Sequence, residues 1–214
     1  MKVLVSGFEP FGGELRNPAW EAVKGVSNQI GDSVVKKIKL PVAYEESGDI
    51  LISEIKRENP DIVICVGQAG GRCGLTPEFV ALNWKDASIE DNTGSKSSGE
   101  RIKEDGQDAY FTNLPVKAMV KVLKEKGVPA SLSYTAGTYV CNSLMYRLLY
   151  YINKECKNIK GGFIHVPFDT IQAASKERAV PSLPIEMMAK GLEYCIESAL
   201  LYANDISIAM GRDN

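Results

Sequence analysis

Short β-branched runs alternate with amphipathic stretches along this chain, the order expected of an α/β fold whose helices cover a largely parallel sheet. Lys2 to Ser6 reads as a buried strand, followed by the loop Gly7 to Arg16. Asn17 then supplies an N-cap and Pro18 the first helical position of a helix reaching about Ser27. Val34, Lys36, Ile38 and Leu40 alternate with other residues as a second strand would. Ile50, Leu51 and Ile55 describe a helix that stops at Asn59-Pro60. Asp61 to Val66 reads as an apolar strand of the parallel-sheet type, with Ile62 to Val66 as its apolar run.

Thr76 to Trp84 reads as one further strand, and Lys85 to Asp108 as a long surface loop without periodicity, either a functional lid or a mobile excursion. A helix from Pro115 to Lys126 is closed by Gly127, and Pro129 to Ser133 begins a strand that runs into Thr135-Ala136-Gly137. A helix from about Tyr139 to Asn153, a strand from Gly162 to Val166 and an amphipathic helix from Ile185 to Tyr202 complete the pattern. Neither repeats nor low-complexity tracts interrupt it. A single domain over residues 1–214 is the expectation, and the tail from Asn204 to Asn214 has no visible role.

Composition narrows the function. With 44% hydrophobic and 24% charged residues, 214 residues can bury a full core. Lys and Arg number 25 against 27 Asp and Glu, a net charge of -2 that provides no electrostatic footprint for nucleic acid or an anionic membrane. No apolar run approaches the roughly 18 residues of a membrane span, and Val3 to Val5 is too short for a signal peptide's apolar core, so a soluble cytoplasmic protein is expected.

Five scattered cysteines and a single histidine argue against a disulfide scaffold or a zinc site, and neither metal nor cofactor is expected. Cys65 and Cys195 lie among apolar residues and read as core, while Cys156 follows a helix in a lysine-rich segment and reads as a solvated thiol. Cys73, in a glycine-rich loop beside Arg72, is a rival nucleophile to Cys141.

Cys141 has the better setting, in the first turn of a helix after a strand and a small-residue turn. Helix-start N–H groups can both lower a thiol pKa and bind a developing oxyanion. Moving a thiol from about 8.5 to about 6 requires roughly 3.4 kcal/mol, whereas a helix terminus supplies at best about 2. An imidazole is the natural complement, and His165 is the chain's one candidate, although spacing leaves a structural histidine equally open. Glu78 stands in an otherwise apolar strand-like stretch. It either faces solvent on an edge strand, which the residues alone favour, or has a partner.

Four blocks in order resemble the pyroglutamyl peptidases of type I, the pyrrolidone-carboxylate peptidases. They are Ser6-Gly7-Phe8-Glu9-Pro10-Phe11-Gly12-Gly13, Val66-Gly67-Gln68-Ala69-Gly70-Gly71-Arg72 followed by Thr76-Pro77-Glu78, Ser133 to Asn142 around Cys141, and Gly161-Gly162-Phe163-Ile164-His165-Val166-Pro167. The resemblance implies a three-layer α/β/α sandwich with a mostly parallel, mixed central sheet of the phosphorylase/hydrolase-like type. It implies a thiol exopeptidase that removes N-terminal pyroglutamyl residues from peptides through a thioester acyl-enzyme, commonly as a homotetramer, with a dimer as the other oligomer considered.

The family's Glu, Cys and His fall on Glu78, Cys141 and His165, which demotes Cys73. The flat, uncharged lactam needs an apolar slot with a few hydrogen bonds, for which the resemblance implies Phe8, Phe11, Tyr139, Val140 and Ile89, with Asn17 and Gln68 as polar contacts. Phe8 and Phe11 otherwise read as loop packing and Asn17 as a helix cap. The apolar residues from Leu144 to Ile152 could face a partner subunit, but core packing explains them first.

Departures from the family pattern occur at Phe79, where Arg or Lys is usual, and in Ala87-Ser88-Ile89-Glu90-Asp91-Asn92, which lacks a customary arginine at Ser88 and proline at Glu90. A strand through this region would turn Phe79 away from Glu78. The departures leave open a degenerate lactam- or metabolite-binding protein on the same scaffold. A phosphate binder is disfavoured because the first loop carries neither a P-loop nor GxGxxG.

Overall fold

The computed structural model describes residues 1–155 and 158–211; Cys156 and the last three residues of the tail lie outside the described residues. In chain order the elements are β1 (Lys2–Phe8), α1 (Pro18–Gly25), β2 (Gln29–Ile30), β3 (Ser33–Leu40), α2 (Glu46–Glu58) and β4 (Ile62–Gln68). Next come β5 (Thr76–Pro77), β6 (Val80–Leu82), β7 (Lys85–Asp86), β8 (Ser98–Glu100), β9 (Ala109–Phe111), α3 (Val116–Glu125) and α4 (Val140–Lys154). The chain finishes with β10 (Lys160–Val166), β11 (Phe168–Asp169), α5 (Thr170–Ala174), β12 (Ser182–Leu183) and α6 (Ile185–Leu201).

Six strands form the central sheet in the order β2-β3-β1-β4-β10-β5. Strands β3, β1, β4 and β10 are parallel, and the short edges β2 and β5 run antiparallel. Alternation along each parallel strand feeds two cores. Val3, Val5, Ile62, Ile64, Val66, Ile164 and Val166 pack with side chains of α1, α3 and α6. Leu4, Val63, Cys65 and Phe163 point the other way, against α2 and α4. The architecture is therefore a three-layer α/β/α sandwich with a mixed, mostly parallel sheet. Among the described residues no helix is long and apolar enough to cross a membrane.

Local chemistry explains the element ends. The Asn17 side chain accepts from the Ala19 N–H at the start of α1, as expected of a cap before proline. Helix α2 ends on Asn59 in the left-handed conformation, φ 46°, immediately before Pro60. Leu144, Met145, Leu148, Leu149 and Ile152 of α4 are buried in the core, which accounts for that apolar run within the chain.

Three expectations need correction. Thr76 to Trp84 is not one strand: β5 pairs with β10, and β6 leaves the sheet to pair with β9, because the chain turns where Glu78 and Phe79 bond separate partners. Pro129 to Ser133 forms only isolated bridges, Leu75 with Ala130 and Glu78 with Ser133, so α4 follows an irregular segment rather than a sheet strand. Lys85 to Asp108 is an ordered arm. Strands β7 and β8 pair, and the Asp91 carboxylate closes a turn by accepting from the N–H groups of Thr93 and Ser95 and the Thr93 hydroxyl.

Candidate functional site

Register places the chemistry. His165 on β10 is paired with Gly67 on β4. Alternation puts both on the face that carries Phe163 and Cys65, the face covered by α4. From α4, Cys141 reaches down onto that face. A Cβ at Gly67 would stand 2.9 Å from Cys141 Sγ and 2.6 Å from Phe163 Cζ, so only glycine admits the thiol here. The sulfur thus lies over the immediate sheet neighbour of His165.

Behind the histidine, Nδ1 lies 2.7 Å from Glu78 Oε1, with His165 at 3% exposure and Glu78 at 0%. The same oxygen accepts from Arg72 Nη1 at 2.6 Å. As an acceptor from two donors, Oε1 assigns the imidazole proton to Nδ1 and leaves Nε2 with a free lone pair. Glu78 is held by its backbone too, its N–H donating to the Phe163 carbonyl at 2.9 Å. The solvated edge position favoured by the residues alone is overturned: the carboxylate is fully buried and paired. Phe79 points elsewhere, its ring 5.1 Å from that of Phe111 and 5.6 Å from that of Tyr134.

Burial pushes the Cys141 thiol up to about 12, with the Glu78 charge adding to the rise and the Arg72 charge opposing it. Burial lowers the His165 pKa, against the hydrogen bond and charge of Glu78, which raise it. Each group alone is thus biased toward its neutral form, so charge develops on the two together, by transfer of a proton from sulfur to imidazole.

The aromatic candidates cluster at the start of α4. The Phe11 and Tyr139 rings are 6.3 Å apart, and Tyr44 meets Tyr139 edge-on at 5.6 Å. The Tyr139 hydroxyl donates to the Glu90 carbonyl at 2.9 Å, tying the arm to the helix start. Asn92 donates to Glu9 Oε1 and to the Pro10 carbonyl, tying the same arm to the first loop. Phe8 and Val140 are buried, and Ile89 is half exposed on the arm. Asn17 spends its amide on the Ala19 N–H and the Glu9 carbonyl, so it fixes the loop as well as the helix. Gln68 accepts from Gln172 at 3.2 Å, which leaves its own amide nitrogen to donate.

The remaining thiols separate by burial: Cys65 and Cys195 lie in the core and Cys73 is exposed. A cavity of about 810 Å³ opens beside Cys73 and Arg72, but neither Cys141 nor His165 is in its wall. The sequence reading missed the contact of Arg72 with Glu78. Its one signal was an arginine six residues before a carboxylate in an apolar setting.

The family model for pyroglutamyl peptidase matches residues 1–202. A pyrrolidone-carboxylate peptidase of Clostridium perfringens is 51% identical over 211 residues, 99% of each chain. One from Thermosipho melanesiensis is 51% identical over 200 residues, 94% of this chain and 98% of that one. The crystal structure of pyroglutamyl peptidase I from Bacillus amyloliquefaciens superposes with a TM-score of 0.94 at 44% identity, covering 97% of this chain and 99% of that one. Pyrrolidone carboxyl peptidase from Thermococcus litoralis gives 0.93 at 38% identity, with the same coverage.

Proposed function

Since this chain belongs to the pyroglutamyl peptidase family and is a cysteine peptidase, we propose that Cys141, His165 and Glu78 are its catalytic triad and that it releases N-terminal pyroglutamate from peptides. The observation that carries this reading is the buried 2.7 Å contact of His165 Nδ1 with Glu78 Oε1, beside the thiol over Gly67.

His165 Nε2 takes the thiol proton as Cys141 Sγ attacks the pyroglutamyl carbonyl, and Glu78 stabilises the imidazolium that forms. The oxyanion is received at the start of α4, where the Cys141 N–H belongs to the first turn and the Tyr139 side chain supplies no cap. Collapse of the tetrahedral intermediate expels the peptide amine, which leaves with the proton from Nε2, and a thioester remains on Cys141. Water, deprotonated by His165, hydrolyses the thioester, frees pyroglutamate and restores the thiol.

Phe11 and Tyr139 form the walls of the lactam slot, Phe8 and Val140 back them, and Ile89 closes the slot from the arm. Gln68 donates to the lactam carbonyl, and Asn17 holds the loop that carries Phe11. The reading extends to one catalytic domain working as a cytoplasmic homo-oligomer, with exposed Phe111, Tyr134 and Leu201 available to a second copy.

A fluorogenic pyroglutamyl amide, compared with prolyl and glutamyl amides on wild type and Cys141→Ser, tests this. Wild type should favour pyroglutamyl over prolyl amide by about 10⁴, because losing the ring carbonyl leaves a buried donor unpaired. The serine variant should lose at least about 10³ in kcat. Activity that is absent from wild type, or that persists in the variant, would refute the assignment.

A further inference from the structure

Arg72 reaches Glu78 because of the loop before it. Gly71 adopts φ +88°, a conformation that side chains resist, and the Arg72 N–H closes the turn onto the Ala69 carbonyl. The guanidinium then meets three points: Glu78 Oε1, the Thr76 hydroxyl, and the Thr135 carbonyl at 3.2 Å. Thr76 and Glu78 flank Pro77 at the sheet edge, and Thr135 lies in the segment that leads into α4. One side chain therefore joins the carboxylate to the approach of the thiol-bearing helix. It uses the very oxygen on which His165 rests, while Glu78 Oε2 is buried with no partner among the described residues.

We propose that Arg72 is a positioning residue of the triad, which fixes the rotamer of Glu78 and balances its charge so that the carboxylate orients the imidazole without trapping its proton. The inference rests on the triad assignment above and extends it to a residue outside the triad. An unbalanced carboxylate would hold the imidazolium too firmly, slowing proton delivery to the leaving amine, and would oppose a thiolate nearby. Arg72 opposes Glu78 at both groups: the carboxylate raises the Cys141 and His165 pKa values, and the guanidinium lowers them.

Other titratable groups surround the cluster. Cys65 lies beneath on β4, Cys73 adjoins Arg72, Tyr134 and Tyr139 precede α4, and Lys124 of α3 lines the cavity beside Arg72. Among the described residues, Arg72 is the cation paired with Glu78. Its side chain is 26% exposed, which screens its field without removing it.

The test measures the rate of Cys141 alkylation by iodoacetamide against pH, mapped by peptide mass spectrometry in a Cys73→Ser background, alongside the pH profile of kcat/KM. Arg72→Met should move the alkylation midpoint and both limbs of kcat/KM upward by about one unit. It should lower kcat more than it raises KM. Arg72→Lys, which keeps charge without the fork, should restore the midpoint while kcat stays about tenfold low. Should Arg72→Met fail to fold, Arg72→Gln carries the same expectation. An alkylation profile superimposed on that of wild type, or a lysine variant shifted as far as the neutral ones, would overturn the proposal. Alkylation requires no turnover, so a shifted midpoint in a protein inactive on pyroglutamyl amides would refute the substrate reading and leave the role of Arg72 standing.

Discussion

Gly67 carries a requirement that its own side of the chain cannot express. Its Cβ position is occupied by Phe163 and the Cys141 sulfur, both contributed by segments far along the chain. Gly67→Ala should therefore cost about 1 to 3 kcal/mol in a denaturant melt and displace the thiol, lowering kcat more than it changes KM. Glu78 teaches the same lesson from the polar side. A lone carboxylate in an apolar run has two stable outcomes, and the decisive partner, His165, is 87 residues away. His165 also predicts an acid limb. Burial lowers its pKa, whereas in the unfolded chain it titrates near 6.5. Below that pH the unfolded state binds the extra proton, so stability falls as pH falls through about 6.5. Thermal melts from pH 8 to 5 should show this loss, and His165→Gln should flatten it.

At the scale of elements, caps and turns split into those that are local and those that are not. Asn17 before Pro18 announces α1 within two residues. Helix α3 has no capping side chain of its own. The N–H groups of Lys117 and Ala118 donate instead to the Asp205 carboxylate at 3.0 Å each, and Lys117 Nζ donates to the Ile208 carbonyl. The tail that seemed idle in the sequence is thus the N-terminal anchor of α3, through contacts 87 to 91 residues long. Asp205→Ala should cost about 1 kcal/mol in thermal or denaturant melts, without altering the pH profile of activity. The arm between β6 and β9 reads from the sequence as a loop without periodicity, and its order was not legible there for a related reason. Its order comes from the Asp91 carboxylate and from ties to Tyr139 and the first loop, none of which leaves a hydrophobic period.

Over the whole molecule, two cores on opposite faces of one sheet clamp the strands; the thiols of Cys65 and Cys195 are buried within them, and that of Cys141 is half-buried beside the site. Burial pushes Cys65 up to about 12, against a hydrogen bond with Ser6, and Cys141 to about 12; it raises Cys195 as well. Unfolded thiols titrate near 8.5. Above that pH the unfolded state sheds protons that the native state keeps, so the stability these groups contribute below it is lost as pH rises. Melting temperatures should decline beyond pH about 8.5, and a Cys65→Ala, Cys195→Ala double variant should show a shallower decline. A profile unchanged by the two substitutions would exclude these thiols as its source.

The alternation of short apolar strands with amphipathic helices, the proline-delimited ends of α1 and α2 and the blocks around Cys141 and His165 were all written locally, because periodicity and capping act within a few residues. The pairing of His165 with Gly67, the burial of Glu78, the grip of Arg72 and the anchoring of α3 by Asp205 were decided by the tertiary structure alone. Each depends on strand register or on contacts between distant segments, where the free energy of a polar group is set by partners that its sequence neighbours do not name.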